Sequence, residues 1–161
     1  MIQAITETNL ITYLPTEDNR INTSVTSTHI RHLFKFTNDM DASIHYVYPE
    51  TEAIYDRYTY FKFIYDASDY SIYEGLIKFL PAGYWKYEAY EVSWEDTVTL
   101  EAGNAPANED DVLTPPGADK GIVQGLITRG KMYVAEKDGT EQVQYIENSP
   151  ASGTNYIWYG Q

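Results

Sequence analysis

Leu80-Pro81-Ala82-Gly83-Tyr84-Trp85-Lys86-Tyr87-Glu88-Ala89-Tyr90-Glu91-Val92 is the stretch on which the fold class turns. Proline presets φ and glycine tolerates φ above zero, so Pro81-Ala82-Gly83 reads as a turn. After it the residues alternate with the period of two that a strand imposes. Trp85, Tyr87 and Ala89 share one face and read as core. Tyr84, Lys86, Glu88 and Tyr90 share the other face, where charge mixed with rings reads as a solvent-facing side.

The same period recurs on both sides of this stretch. Ile30, His32, Phe34 and Phe36 point one way over 30–36, and Ile44, Tyr46 and Tyr48 do so over 44–48. Over 57–65, Thr59, Phe61, Phe63 and Tyr65 stand opposite Tyr58, Tyr60, Lys62 and Ile64. Further strands are expected at 72–80, 98–101, 121–128, 131–136 and 141–147. Arg129-Gly130 and Lys137-Asp138-Gly139-Thr140 separate the last three as turns, Asp-Gly being a strong hairpin cue. No window holds a 3.6-residue apolar period with caps. Eight or so short strands at this spacing predict an all-β, antiparallel sandwich or barrel.

Two segments fall outside that pattern. Residues 1–28 read as an N-terminal strand followed by a polar arm, since 12–28 is rich in Thr, Ser and Asn and broken by Pro15. Residues 102–120 carry three prolines and the triplet Glu109-Asp110-Asp111. A structureless stretch of that length is usually functional or flexible. It reads as a flexible acidic loop, either a solvated excursion or an arm that orders against a partner. Calcium is the weakest reading, because the spaced Asp-x-Asp-x-Asp-Gly pattern is missing. The remainder, 29–161, is expected to form the sandwich domain.

Composition narrows the function. The 161 residues hold 24 acids and 11 bases, a formal charge of -13. Binding phosphate backbones needs clustered Lys and Arg, so nucleic acid is not an expected partner. An anionic membrane surface is excluded on the same ground. Without a cysteine, disulfides, thiolate zinc sites and thiol catalysis are ruled out. Residues 1–7 lack the basic and apolar regions of a signal peptide, so a chain made and kept soluble in the cytosol is expected. His29 and His32 are three apart and fall on opposite faces of a strand, a poor ligand pair, and no metal or other cofactor is expected. No nucleophile elbow, Walker loop or dinucleotide fingerprint is present, and the chain reads as a non-enzyme.

The rings are left to explain. The chain holds sixteen Tyr, three Trp and five Phe, and the run Tyr55, Tyr58, Tyr60, Tyr65, Tyr70 and Tyr73 contains more Tyr than one inner face needs. Tyr outside a core is favoured at contact surfaces, since it buries much area at little rotamer entropy and keeps a hydroxyl. Tyr55, Tyr58, Tyr60, Trp94 and Trp158 are therefore the candidate interface residues, for a protein or a sugar.

Gly83, Trp85 and Tyr87 resemble the penultimate strand of immunoglobulin-like sandwiches, with Tyr87 where a disulfide-bearing domain has cysteine. Gly121-Ile122-Val123-Gln124-Gly125-Leu126-Ile127-Thr128-Arg129-Gly130-Lys131-Met132-Tyr133-Val134, following that strand, is similar to small virion proteins of tailed bacteriophages. Those proteins pair a Gly-aromatic-Tyr strand with a Gly-Leu-x-x-x-Gly-x-x-x-Val hairpin after a variable insertion; crAss-like phages are among the sources implied. Across residues 60–146 the resemblance implies a capsid auxiliary or decoration protein located in the virion and assembled in the host cytoplasm. Its implied partners are the major capsid protein or other virion proteins, with a homo-oligomer on the virion left open. A tail or neck component and a carbohydrate-binding sandwich module are the alternatives.

Overall fold

The computed structural model describes residues 1–68 and 70–138. The expected strand at 141–147, the turn at 137–140 beyond Asp138, and Trp158 lie outside them.

The protein is all-β; its only helical elements among the described residues are two 3-10 turns, Glu17–Asn19 and Ser27–His29. Nine strands form among the described residues: β1 (Ile2–Ile5), β2 (Leu10–Leu14), β3 (Ile30–Asn38), β4 (Ile44–Val47), β5 (Thr51–Ile54), β6 (Thr59–Tyr65), β7 (Leu76–Ile77), β8 (Gly83–Ser93) and β9 (Ile122–Ala135). One sheet has the order β1-β9-β8-β3-β4 and the other β2-β6-β5, with β7 alongside β6. The expectation of purely antiparallel pairing is corrected: β1 runs parallel to β9, and β7 parallel to β6.

The two sheets share one core. Phe34, Phe36, Trp85, Tyr87, Ala89 and Met132 from the first meet Leu10, Leu14, Phe61, Phe63 and Ile77 from the second. The alternation in β8 holds as read, with Trp85, Tyr87 and Ala89 buried and Tyr84 and Lys86 exposed. At the centre Phe34 meets Phe61 and Phe63 edge to face, at 4.9 and 5.1 Å between ring centres. Such pairs add about 0.5–1.5 kcal/mol each beyond burial.

Three expectations change. Residues 1–28 contribute one strand to each sheet, so the segment expected to be a polar arm from residue 12 onward begins inside β2 instead of leaving the domain. Leu10, Thr12 and Leu14 face the core, and Thr16 bonds Thr59 at 2.6 Å. Arg129-Gly130 is not a turn either. Gly130 lies within the continuous strand β9, where Tyr87 packs so closely that a Cβ would fall 2.8 Å from its hydroxyl oxygen. The Gly-Leu-x-x-x-Gly-x-x-x-Val run is thus one bulged strand rather than a hairpin.

The third change concerns 102–120. This segment does not project away from the domain but lies across the outer face of the five-stranded sheet. Leu33, Tyr48, Val92, Trp94 and Ala105 form a second core there, with Val98 and Leu100 packed against it. Tyr48 donates its hydroxyl to Pro106 O at 2.9 Å, and the Trp94 indole donates to Asn104 O at 3.2 Å. Asp110 and Asp119 lie on the exposed side of the segment, while Ala105 and Pro106 face in and Glu109 reaches Lys35 on the sheet. Residues 98–101, expected as a strand, form none and lead into this cover.

Candidate functional site

The outer face of the β2-β6-β5 sheet gathers tyrosines. The β5–β6 hairpin closes through Tyr55 N–H donating to Tyr58 O at 2.9 Å, which sets both rings at its tip. In β6, Thr59 and Phe61 point inward, so Tyr60 points out; in β2, Leu14 and Thr12 point inward, so Tyr13 does the same. Register makes Tyr13 and Tyr60 direct cross-strand neighbours. The Tyr13 ring centre lies 5.5 Å from both Tyr58 and Tyr60, and Tyr55 lies 5.1 Å from Tyr58. Tyr13, Tyr55 and Tyr58 are 59%, 52% and 42% exposed, which makes four touching rings a surface rather than a core. Ile11, also exposed, continues the face one row along.

Three of the five expected interface residues, Tyr55, Tyr58 and Tyr60, therefore come together. Tyr13 joins them, and Leu10-Ile11-Thr12-Tyr13-Leu14 carries the alternation that could have found it. Trp94 is a correction. Its ring is fully buried under the 102–120 cover and cannot be a surface contact. The apolar ring and the need of its indole N–H for an acceptor both direct it inward. Of the other tyrosines between 55 and 73, Tyr73 stacks on Tyr48 at 6.2 Å and Tyr70 donates its hydroxyl to Tyr46 O, so both serve the second core's margin.

Where the cover meets the sheet, Lys35 pairs with Glu109 and, at 3.8 Å, with Glu88. The hydrogen bond to Glu109 raises the Lys35 pKa, opposed by its burial. Tyr90, donating to Glu88 at 3.2 Å, is pushed up to about 12, first by burial and then by the carboxylates of Glu88 and Glu109. Lys35 and the two carboxylates act as a clasp between the cover and the sheet.

Two buried polar groups lay beyond the sequence pattern. His32 Nδ1 lies 2.7 Å from Glu52 Oε1, with both side chains almost wholly enclosed. Glu91 is fully buried and accepts the N–H groups of Ile21 and Asn22 at 2.9 and 2.7 Å. Ser93 extends this network to Asn22 and Gln124. The network closes one end of the core and explains why the polar stretch after Pro15 folds back there. Of the other histidines, His29 contacts Thr26 at 2.8 Å, while His45 sits half-buried between Trp85 and Tyr70. Among the described residues no three His, Asp or Glu side chains are grouped to hold a metal ion. No protein-family model, curated protein or solved structure matches the chain.

Proposed function

We propose that this chain is a non-catalytic structural protein of a tailed-phage virion, an auxiliary protein that binds the capsid through the tyrosine face. The observation that carries the contact role is the cluster of Tyr13, Tyr55, Tyr58 and Tyr60, three of them exposed. Touching tyrosines offer large, stiff, amphipathic area with hydroxyls at the rim, the composition enriched in interface centres. The virion assignment rests on the resemblance of the Gly83–Val92 and Gly121–Val134 stretches. A modest contact repeated over a capsid lattice gains from multivalency.

The scaffold proposed for this role is an immunoglobulin-like sandwich of variable-type connectivity. The order β4-β3-β8-β9 corresponds to C′-C-F-G, and β2-β6-β5 to B-E-D. Trp85 supports the correspondence. It stands two residues before Tyr87, and its indole donates back to Pro81 O at 3.1 Å, as the hydroxyl of a tyrosine corner does.

A sugar-binding role has less support. The rings cross at 79°, 60° and 40° instead of forming one flat stacking platform, and Trp94 is enclosed. A tail or neck position differs in copy number, about a dozen or fewer per particle instead of hundreds.

The test is mass spectrometry of purified virions reconstituted with wild-type protein or with Tyr13→Ala/Tyr58→Ala. Hundreds of wild-type copies are expected, and the variant should bind about tenfold or more weakly, since truncating a central ring costs about 2 kcal/mol. Wild-type occupancy by the variant, or absence of the protein from virions, would overturn the reading.

A further inference from the structure

The 102–120 cover occupies only part of the outer face of the five-stranded sheet. Beyond it, β8 and β9 carry Tyr84, Lys86, Arg129, Lys131 and Tyr133, all exposed. Lys86 and Lys131 are direct cross-strand partners, as are Tyr84 and Tyr133, whose ring centres lie 5.1 Å apart. Like charges placed opposite each other destabilise a sheet. After Leu80 the chain has five bases against thirteen acids, and three of those five are on this one patch. Lys86 reaches Asp39 at 3.3 Å, but Arg129 and Lys131 have no ion-pair partner among the described residues. Glu88 stands opposite Arg129 but is engaged by Lys35, so the patch has more bases than acids and is flanked by two exposed rings.

The complementary surface is on the same chain. A cleft of about 730 Å³ opens between the 109–118 part of the cover and the start of β9. Its walls include Glu95 and Asp110 beside the exposed apolar side chains of Val112 and Ile122. The carboxylates of Glu95 and Asp110 are exposed and have no ion-pair partner among the described residues. The cleft's one base, Lys120, spends its ammonium on Gly103 O at 2.8 Å and on Asn104 Oδ1. Ile122 and Lys131 are nine residues apart on β9, about 30 Å in an extended strand. One molecule therefore cannot satisfy its own pair of surfaces.

We propose that the β8–β9 patch of one molecule docks on the acidic cleft of a second copy. Arg129 and Lys131 meet Glu95 and Asp110, while the Tyr84 and Tyr133 rings lie against Val112 and Ile122. Because the two surfaces are different and far apart, the contact is head to tail, and each added copy leaves one patch and one cleft open. This contact uses a different face from the tyrosine cluster and holds or fails independently of the capsid reading.

Sedimentation velocity on the full chain across a concentration series tests it. At about 0.01 M salt, where charges act over about 30 Å, the sedimentation coefficient should climb with concentration; at about 1 M, where they act over about 3 Å, the climb should vanish. Arg129→Glu/Lys131→Glu alone and Glu95→Lys/Asp110→Lys alone should each remain monomeric. Mixed together they should associate, since each patch then faces a cleft of opposite sign although both proteins stay net negative. Lys78→Glu, outside both surfaces, should behave as wild type. A wild-type monomer at every salt and concentration overturns the proposal and leaves the patch to a different acidic partner. Association that survives the single swaps, or is not restored on mixing, overturns it too.

Discussion

Glu91 shows how one residue decides a segment's path. On the alternation of β8 it belongs with Trp85, Tyr87 and Ala89 on the inner face, and a carboxylate there is costly unless its oxygens are occupied. They are occupied by two backbone N–H groups, those of Ile21 and Asn22. Glu91→Gln keeps the shape but turns one acceptor into a donor that faces an N–H. The expected loss is about 1–3 kcal/mol in chemical denaturation, with faster amide exchange at Ile21 and Asn22. A carboxylate at an inner position reads as an error in the pattern until its partners are known. Nothing local to Glu91 names residues seventy positions earlier, so this part of the end-network was not legible in the sequence.

Elements were legible where one face is wet and the other dry. Thr59, Phe61 and Phe63 alternate with Tyr60 and Lys62, and β6 formed as read. Leu33 breaks the rule, being buried on the side opposite Phe34, because a loop covers that side and the strand is dry on both. For the same reason the sequence hides the cover: Asp110, Asp119, Pro115 and Pro116 are exposed, while its inner contacts fall on a few scattered residues, Ala105, Pro106 and Glu109. Gly121 anchors the cover, donating to Asn104 O at 2.8 Å. A Cβ at this position would come within 2.6 Å of Trp94 Cζ2 and 2.9 Å of Pro106 Cδ. Gly121→Ala should therefore cost about 1–3 kcal/mol, the usual range for overpacking. Amide exchange should rise across 98–120 and stay unchanged in β2 and β6; uniform exchange would contradict the cover's separate role.

At the scale of the whole molecule, acid sensitivity has a named contributor besides the carboxylates. Burial pushes the His45 pKa below its ordinary 6.5, while Asp41 pulls the other way. The unfolded chain therefore binds this proton at higher pH than the folded one. The associated stability is complete above about pH 6.5 and is lost as pH falls towards the folded value. His45→Gln should flatten part of the decline in denaturation midpoint between about pH 7.5 and pH 5, and an unchanged decline would exclude the residue. The candidate face is also a whole-molecule property. Tyr55, Tyr58 and Tyr60 could be singled out by their surplus, but their meeting with Tyr13 depends on β2 crossing to the second sheet, which no local pattern announces.

The parallel pair β1–β9 has a mechanical side. Ile2 lies beside Met132 and Ile5 beside Ala135, so the chain enters the pair at one end and leaves it at the other. Tension applied through Ile2 and the chain beyond Ala135 runs along both strands in opposite senses, and the hydrogen bonds between them lie across the pull. They are loaded together and must fail as a group, not one after another as in a hairpin peeled from its open end. Tethered at those two points, the fold resists stretching first through its outermost strand.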